Sequence, residues 1–226
     1  MMVTLDDVFG LLAPHMCIAC GVEGAVLCLE CLKSAGQPIP SRCAGCRMLT
    51  KNFQTCNACR RWLHAKAVFV ATSYEGIEEA LLHRYKFDVA RQAVRPLARM
   101  MSDALIINNI EYDLVVGIPT APARVRARGF DNGKLLAQTV ARNLNLPYRH
   151  FLRRHTNKRQ LGATRAQRIT QMREEFYAIS GANLKGKTVL LVDDVITTGA
   201  TIAAATVALK AAGAKQVYVL VYAQKA

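Results

Sequence analysis

The apolar positions of this chain fall into short unbroken runs separated by longer stretches with helical spacing. Residues 189–192 are consecutively apolar. A run this short reads as a strand buried on both faces, as in a parallel sheet. Residues 67–74, 113–118 and 216–222 read as further strands, the second stopped by Pro119. Residues 77–87, 90–107, 129–143 and 202–212 carry the helical pattern. Pro96 interrupts the second of these helices early, and Gly213 closes the Ala-rich last one. Residues 1–13 predict a short amphipathic helix with Leu5, Val8, Phe9 and Leu12 on one face, ended by Pro14. Residues 154–164 read as a polar, basic loop, after which Thr164 caps a predicted helix over 165–173. Strands separated by helices imply βα units and a parallel sheet.

Cysteine usage adds a second unit to this picture. All eight cysteines lie within residues 17–59, in four Cys-x-x-Cys pairs: Cys17/Cys20, Cys28/Cys31, Cys43/Cys46 and Cys56/Cys59. In a cytosolic chain this spacing points to tetrahedral thiolate zinc rather than disulfides. Eight thiolates make two Cys₄ sites. Sequential pairing is the simplest arrangement, and interleaved pairing stays open. So short a segment has little interior of its own, so metal is expected to supply most of its stability. The stretch 37–41, with Pro38 and Pro40, reads as a stiff connector between its halves. Trp62 and Leu63, directly after the last pair, are expected to pack the module on the rest of the protein. The chain of 226 residues then divides into a metal-binding module over 1–64 and an α/β unit over 65–226. No stretch reads as membrane-spanning, and Asp6 and Asp7 near the start speak against a secretory leader. The expected location is the cytoplasm.

The strand at 189–192 runs into two adjacent carboxylates, Asp193 and Asp194, and then into Thr197, Thr198, Gly199, Ala200 and Thr201 at the start of a helix. Open α/β sheets bind ligands at the carboxyl ends of their strands. A loop opening a helix there offers free N–H groups and the positive end of the helix dipole, which suits a phosphate. The acid pair needs other partners: sugar hydroxyls are good donors to it, and Mg²⁺ would ease its repulsion. The local chemistry therefore asks for a phosphorylated sugar. Net charge is +14, and residues 121–173 hold thirteen Lys or Arg against a single acid, Asp131. That density suggests a polyanionic partner, either nucleic acid or a substrate with several phosphates.

Segment 189–201 looks like the PRPP-binding signature of type I phosphoribosyltransferases. Further stretches carry a wider likeness: Tyr85-Lys86-Phe87; Gly117-Ile118-Pro119-Thr120 with the basic run to Arg128-Gly129-Phe130; and Thr156 and Gln160 leading to Arg165, Arg168 and Phe176. With the cysteine module they make the chain resemble the ComF family of competence proteins. That family joins an N-terminal zinc-ribbon region to a phosphoribosyltransferase fold. Members commonly read Gly-Phe-Asn-Gln where this chain has Gly129-Phe130-Asp131-Asn132.

The resemblance implies an α/β fold, a type I phosphoribosyltransferase-like parallel sheet flanked by helices, with a small double zinc-ribbon module. It implies PRPP bound with Mg²⁺. Asp193 and Asp194 hold the ribose hydroxyls, and Thr197, Thr198, Gly199, Ala200 and Thr201 hold the 5′-phosphate. The loop 119–124, with Pro119, Thr120 and Arg124, holds pyrophosphate. A basic loop near 154–166, containing Lys158, Arg159, Gln160 and Arg165, closes over the centre, so Gln160 and Arg165 join the acid pair as expected catalytic residues. Phosphoribosyl transfer in the service of DNA uptake is the leading expectation, with single-stranded DNA and other competence proteins as further partners. A non-catalytic single-strand-binding competence factor and a PRPP-sensing regulator remain open beside it.

Overall fold

The computed structural model describes residues 15–36, 39–87, 90–106, 108–154 and 175–225. The predicted helices over 1–13 and 165–173 lie outside these residues. Four strands, β1 (Val68–Ser73), β2 (Leu114–Gly117), β5 (Thr188–Ile196) and β6 (Gln216–Gln224), form a sheet in the order β1-β6-β5-β2, and every pairing is parallel. Tyr148 extends the sheet beyond β2 through a parallel bridge to Val115. The apolar runs are explained by burial on both faces: β6 has no exposed position, and all four residues of β2 are buried.

Helices cover both faces. The chain supplies α1 (Leu29–Ser34), α2 (Asn57–Leu63), α3 (Gly76–Phe87), α4 (Ala90–Asp103), α5 (Pro122–Arg128), α6 (Asn132–Asn143) and α7 (Ala200–Ala211). Alternate strand residues divide the interior in two. Phe69, Val115, Leu190, Val192 and Leu220 face one cluster with α3, α4 and α6. Val70, Val116, Leu191, Val219 and Val221 face the other with α7. The cysteine-rich segment straddles the sheet. Cys17, Val26 and Leu27 belong to the first cluster, whereas Cys43, Ala44, Cys59 and Leu63 belong to the second. The two halves of the module thus sit on opposite faces. The chain from them enters β1 through a Gln54–Ala67 bridge and the Lys66 N–H to the Val217 carbonyl at 2.8 Å.

Three elements differ from the sequence expectation. α5 occupies residues that read as loop, although Pro122 at its first position is a recognised start signal. β5 runs past the expected end at Val192 to Ile196, so Asp193 and Asp194 are themselves strand residues. Two short strands, β3 (Leu152–Arg154) and β4 (Phe176–Ala178), pair antiparallel. Three-residue strands carry too little alternation to be visible in sequence. Among the described residues, no helix is long and apolar enough to cross a membrane.

Candidate functional site

β5 and its neighbours position the acid pair. In the parallel register Gly117 of β2 lies beside Val192, and the Ile118 N–H donates to the Val192 carbonyl at 2.9 Å. The segment after β2 therefore leaves the sheet at the level where Asp193 begins. Asp193 Oδ1 accepts the Asp194 N–H at 2.9 Å, and Asp194 Oδ2 lies 2.9 Å from Lys86 Nζ at the end of α3. Burial, with the Asp194 charge second, raises the Asp193 carboxyl from 3.8 to about 7, against the Asp194 N–H, Lys86 and Arg154. A carboxylate this reluctant to ionise fits a site completed by hydroxyl donors or a cation, which the donor set of a Mg²⁺-bound sugar phosphate would supply.

This shift has a testable sign. Between pH 3.8 and about 7 the folded chain holds a proton on Asp193 that the unfolded chain has lost. Stability therefore falls as pH rises through that window. Asparagine mimics the protonated form and keeps the oxygen that accepts the Asp194 N–H. Asp193→Asn should thus raise the ligand-free Tm, by an amount that grows between about pH 5 and about pH 7.5. Calorimetry of both proteins across that range checks it, and a pH-independent difference would refute the burial argument.

The segment 195–202 wraps a small hollow with Asp193 on its wall. Gly199 caps α7 with φ +78°, the left-handed conformation that glycine adopts without a Cβ penalty. The Thr198 hydroxyl oxygen takes the Ala200 N–H at 3.4 Å, and Thr197 and Thr198 are exposed at the mouth. Ala200 and Thr201 form the first turn of α7 rather than loop. An ideal Cβ on Gly199 would lie 3.2 Å from Leu63 Cδ2 and from Trp62 Cη2. The last turn of α2 therefore packs against the back of this loop, as expected for Trp62 and Leu63.

Past the end of β2, Pro119 and Thr120 form a short connecting segment. The Thr120 hydroxyl oxygen takes the Gly133 N–H at 3.0 Å, and its own N–H reaches Asp131 Oδ1 at 3.3 Å. Asp131 also caps α6 through the Lys134 N–H at 3.0 Å. A Cβ on Gly133 would fall 2.0 Å from the Ile118 carbonyl oxygen, so only glycine lets α6 approach β2 this closely. Asp131 and Asn132 thus act on the shape of the site's floor. Arg124, expected in the loop, is an exposed residue inside α5. A cleft of about 370 Å³ beside Pro119 and Thr120 also has Arg126, His150, Arg153 and Arg154 among its lining residues. Gln160 and Arg165 lie outside the described residues. The structure also brings in residues not singled out from sequence as site residues, Lys86 and Arg154. Arg154 pairs with Glu175 at 2.6 Å and stacks its guanidinium 5.0 Å from the Phe176 ring centroid.

The cysteines gather sequentially: Cys17, Cys20, Cys28 and Cys31 in one group, and Cys43, Cys46, Cys56 and Cys59 in the other, each with its sulfurs within 4.8 Å of one another. Zn–S bonds of about 2.3 Å in a tetrahedron require sulfur–sulfur edges of about 3.8 Å. The Cys20–Cys28 and Cys46–Cys56 separations are both 3.7 Å. Backbone N–H groups point at the sulfurs, from Cys28 to Cys17 and from Cys56 to Cys43, each at 3.4 Å. Burial opposes ionisation of Cys17 and Cys43, but these and neighbouring N–H groups bring both down to about 6. Either group could hold one zinc ion as a closed structural site, and both fit zinc-ribbon modules.

The Phosphoribosyl transferase domain family matches residues 130–226. Competence protein ComFC of Streptococcus pneumoniae is 29% identical over 202 residues, covering 86% of each chain. Competence protein F of Haemophilus influenzae is 26% identical over 217 residues, covering 85% of this chain and 94% of that one. A solved structure of glutamine phosphoribosylpyrophosphate (PRPP) amidotransferase from B. subtilis superposes with a TM-score of 0.44 at 24% identity. That match covers 60% of this chain, which spans only 29% of the amidotransferase chain. The sheet itself begins only at Val68, so likeness to the two competence proteins over this much of the chain reaches beyond the phosphoribosyltransferase fold into the cysteine-rich segment. Along about 85% of its length the chain is similar to the ComF competence proteins.

Proposed function

We propose that this protein binds PRPP with Mg²⁺ at the carboxyl end of β5 and transfers the phosphoribosyl group to an acceptor in the handling of imported DNA. The observation that carries the reading is the acid pair at a buried strand end followed directly by the Gly199 turn into α7. Asp193 and Asp194 would accept hydrogen bonds from the ribose hydroxyls. The segment Thr197, Thr198, Gly199, Ala200 and Thr201 would hold the 5′-phosphate through its N–H and hydroxyl groups and the positive end of α7. Pro119 and Thr120 would hold the pyrophosphate, with Arg124 on the helix that follows. Magnesium, bound with the pyrophosphate, would neutralise the charge that develops as that group departs. The bond from the anomeric carbon to the pyrophosphate oxygen breaks, that oxygen keeps the electron pair, and the acceptor's nucleophilic atom bonds to the carbon and sheds its proton. The protein contributes position and electrostatics rather than a strong base. Gln160 and Arg165, in the segment after β3, complete the proposed set.

In the same reading residues 1–64 carry two structural zinc ions and residues 65–226 form the phosphoribosyltransferase unit. The exposed Arg124 and Arg126 of α5 support single-stranded DNA as a further partner. Titration calorimetry of the zinc-loaded protein with Mg²⁺ and PRPP, with and without a single-stranded oligonucleotide, tests the assignment. PRPP binding that needs Mg²⁺ is the expected result. Oligonucleotide binding with no PRPP binding would instead favour the non-catalytic competence factor, and DNA binding that changes with PRPP would favour a PRPP-sensing regulator.

A further inference from the structure

Helix α3 ends Tyr85-Lys86-Phe87, and these three side chains diverge. Tyr85 is fully buried. Its hydroxyl donates to the Asn132 carbonyl, and Asn132 Nδ2 donates back to the Tyr85 carbonyl at 3.2 Å. This reciprocal clasp fixes the end of α3 against the start of α6. Phe87 projects outward, with the Arg128 guanidinium 5.0 Å from its ring centroid. Lys86, held between two anchored neighbours, places Nζ 2.9 Å from Asp194 Oδ2, with side chains only 23% and 25% exposed.

An ion pair on an open surface contributes little. This one is different in position. It is partly buried, its lysine is held by a helix end clasped in place, and its acceptor is one of the two carboxylates that the proposed function assigns to the ribose. A lysine ammonium has three donors on a flexible stem. It can keep one hydrogen bond to Asp194 while turning another toward a phosphate that arrives beside it. We propose that Lys86 is a ligand-binding residue of the phosphoribosyl site, holding Asp194 aimed before the ligand arrives and lending its charge to the phosphates of the bound sugar. This inference rests on the PRPP reading.

The alternative is a structural ion pair that merely pins α3 to β5. Calorimetry on the zinc-loaded full chain separates the two, using Lys86→Met, Lys86→Arg, Asp194→Asn and the double variant, with Mg²⁺–PRPP and with Mg²⁺–pyrophosphate as probes. Lys86→Met should weaken PRPP by at least about tenfold, ~1.4 kcal/mol. Lys86→Arg should recover most of that loss. The double variant should lose much less than the sum of the single losses, because the two groups act together. Pyrophosphate, which has no ribose hydroxyls, should also bind more weakly to Lys86→Met, an effect that a purely structural pin would not produce. Unfolding temperatures measured alongside separate lost affinity from lost fold, and Lys86→Arg keeps the test valid if Lys86→Met is unstable. Wild-type affinity in Lys86→Met, or a lowered Tm with unchanged affinity, overturns the proposal. Failure of the unmodified protein to bind PRPP would instead overturn the reading beneath it, and this inference with it.

Discussion

Replacing Cys43 by serine should cost the protein its phosphate loop as well as one metal ion, whereas replacing Cys17 should cost the metal ion alone. A structural Cys₄ zinc site supplies on the order of 10 kcal/mol to the fold around it, so either substitution should release its ion. The consequences differ because the two groups pack in different places. The second group is continuous with the loop that starts α7. A Cβ on Gly45, in the turn between Cys43 and Cys46, would lie 2.9 Å from Trp62 Cζ2, and Trp62 itself abuts Gly199. The same turn is tied to the end of β6, with the Ala44 carbonyl accepting from Gln224 at 3.1 Å and Arg47 donating to the Lys225 carbonyl at 2.6 Å. The first group packs on the opposite face, with Val26 and Leu27 in the cluster that holds α4. Elemental analysis should fall from two zinc ions per chain to one in both variants, as the two Cys₄ groups require. PRPP affinity should fall by more than about tenfold, ~1.4 kcal/mol, only in Cys43→Ser. Equal losses of affinity would mean that the two groups stabilise one common body rather than separate faces. Retention of both metal ions in both variants would refute the Cys₄ zinc assignment.

Gly199→Val should abolish PRPP binding. In the proposed site a new side chain would stand where backbone meets phosphate. The structure gives a different reason, since the Cβ would be aimed at Leu63 and Trp62, each 3.2 Å away. A β-branched residue at φ +78° carries local strain of about 1–3 kcal/mol, and the wedge against α2 adds to it. The loop can relieve both only by abandoning the turn that presents its N–H groups. Gly199→Ala is the graded control, with the strain but without the branched bulk, and should lose affinity by about tenfold. Calorimetry with Mg²⁺–PRPP, on variants shown to retain their zinc, reads both. Full affinity in Gly199→Val would remove this loop from the phosphate site.

Much of the fold was legible because its signals are local. Four of the strands announce themselves as apolar runs, since a parallel sheet covered on both faces leaves no alternation to obscure them. The order strand, acid pair, hydroxyl-glycine loop and Ala-rich helix is contiguous, so it survives as a motif without any tertiary context. The β3–β4 pair was missed because three-residue strands hold no period. α5 was missed because its basic residues mask a helix that Pro122 alone signals. Arg124 was placed in the loop by the family resemblance, which fixes no element boundary.

By itself the sequence determined the βα order of the sheet, the paired thiols with their metal-type spacing and the carboxylate–glycine motif at the end of β5. Each depends on residues within one element or one turn. Only the tertiary structure decided how the thiols divide into sequential groups, that those groups lie on opposite faces of the sheet, and that Trp62 and Leu63 back the Gly199 loop. It alone brought Lys86 to Asp194, because that contact depends on how α3 docks against α6, through the Tyr85–Asn132 clasp, rather than on any spacing along the chain.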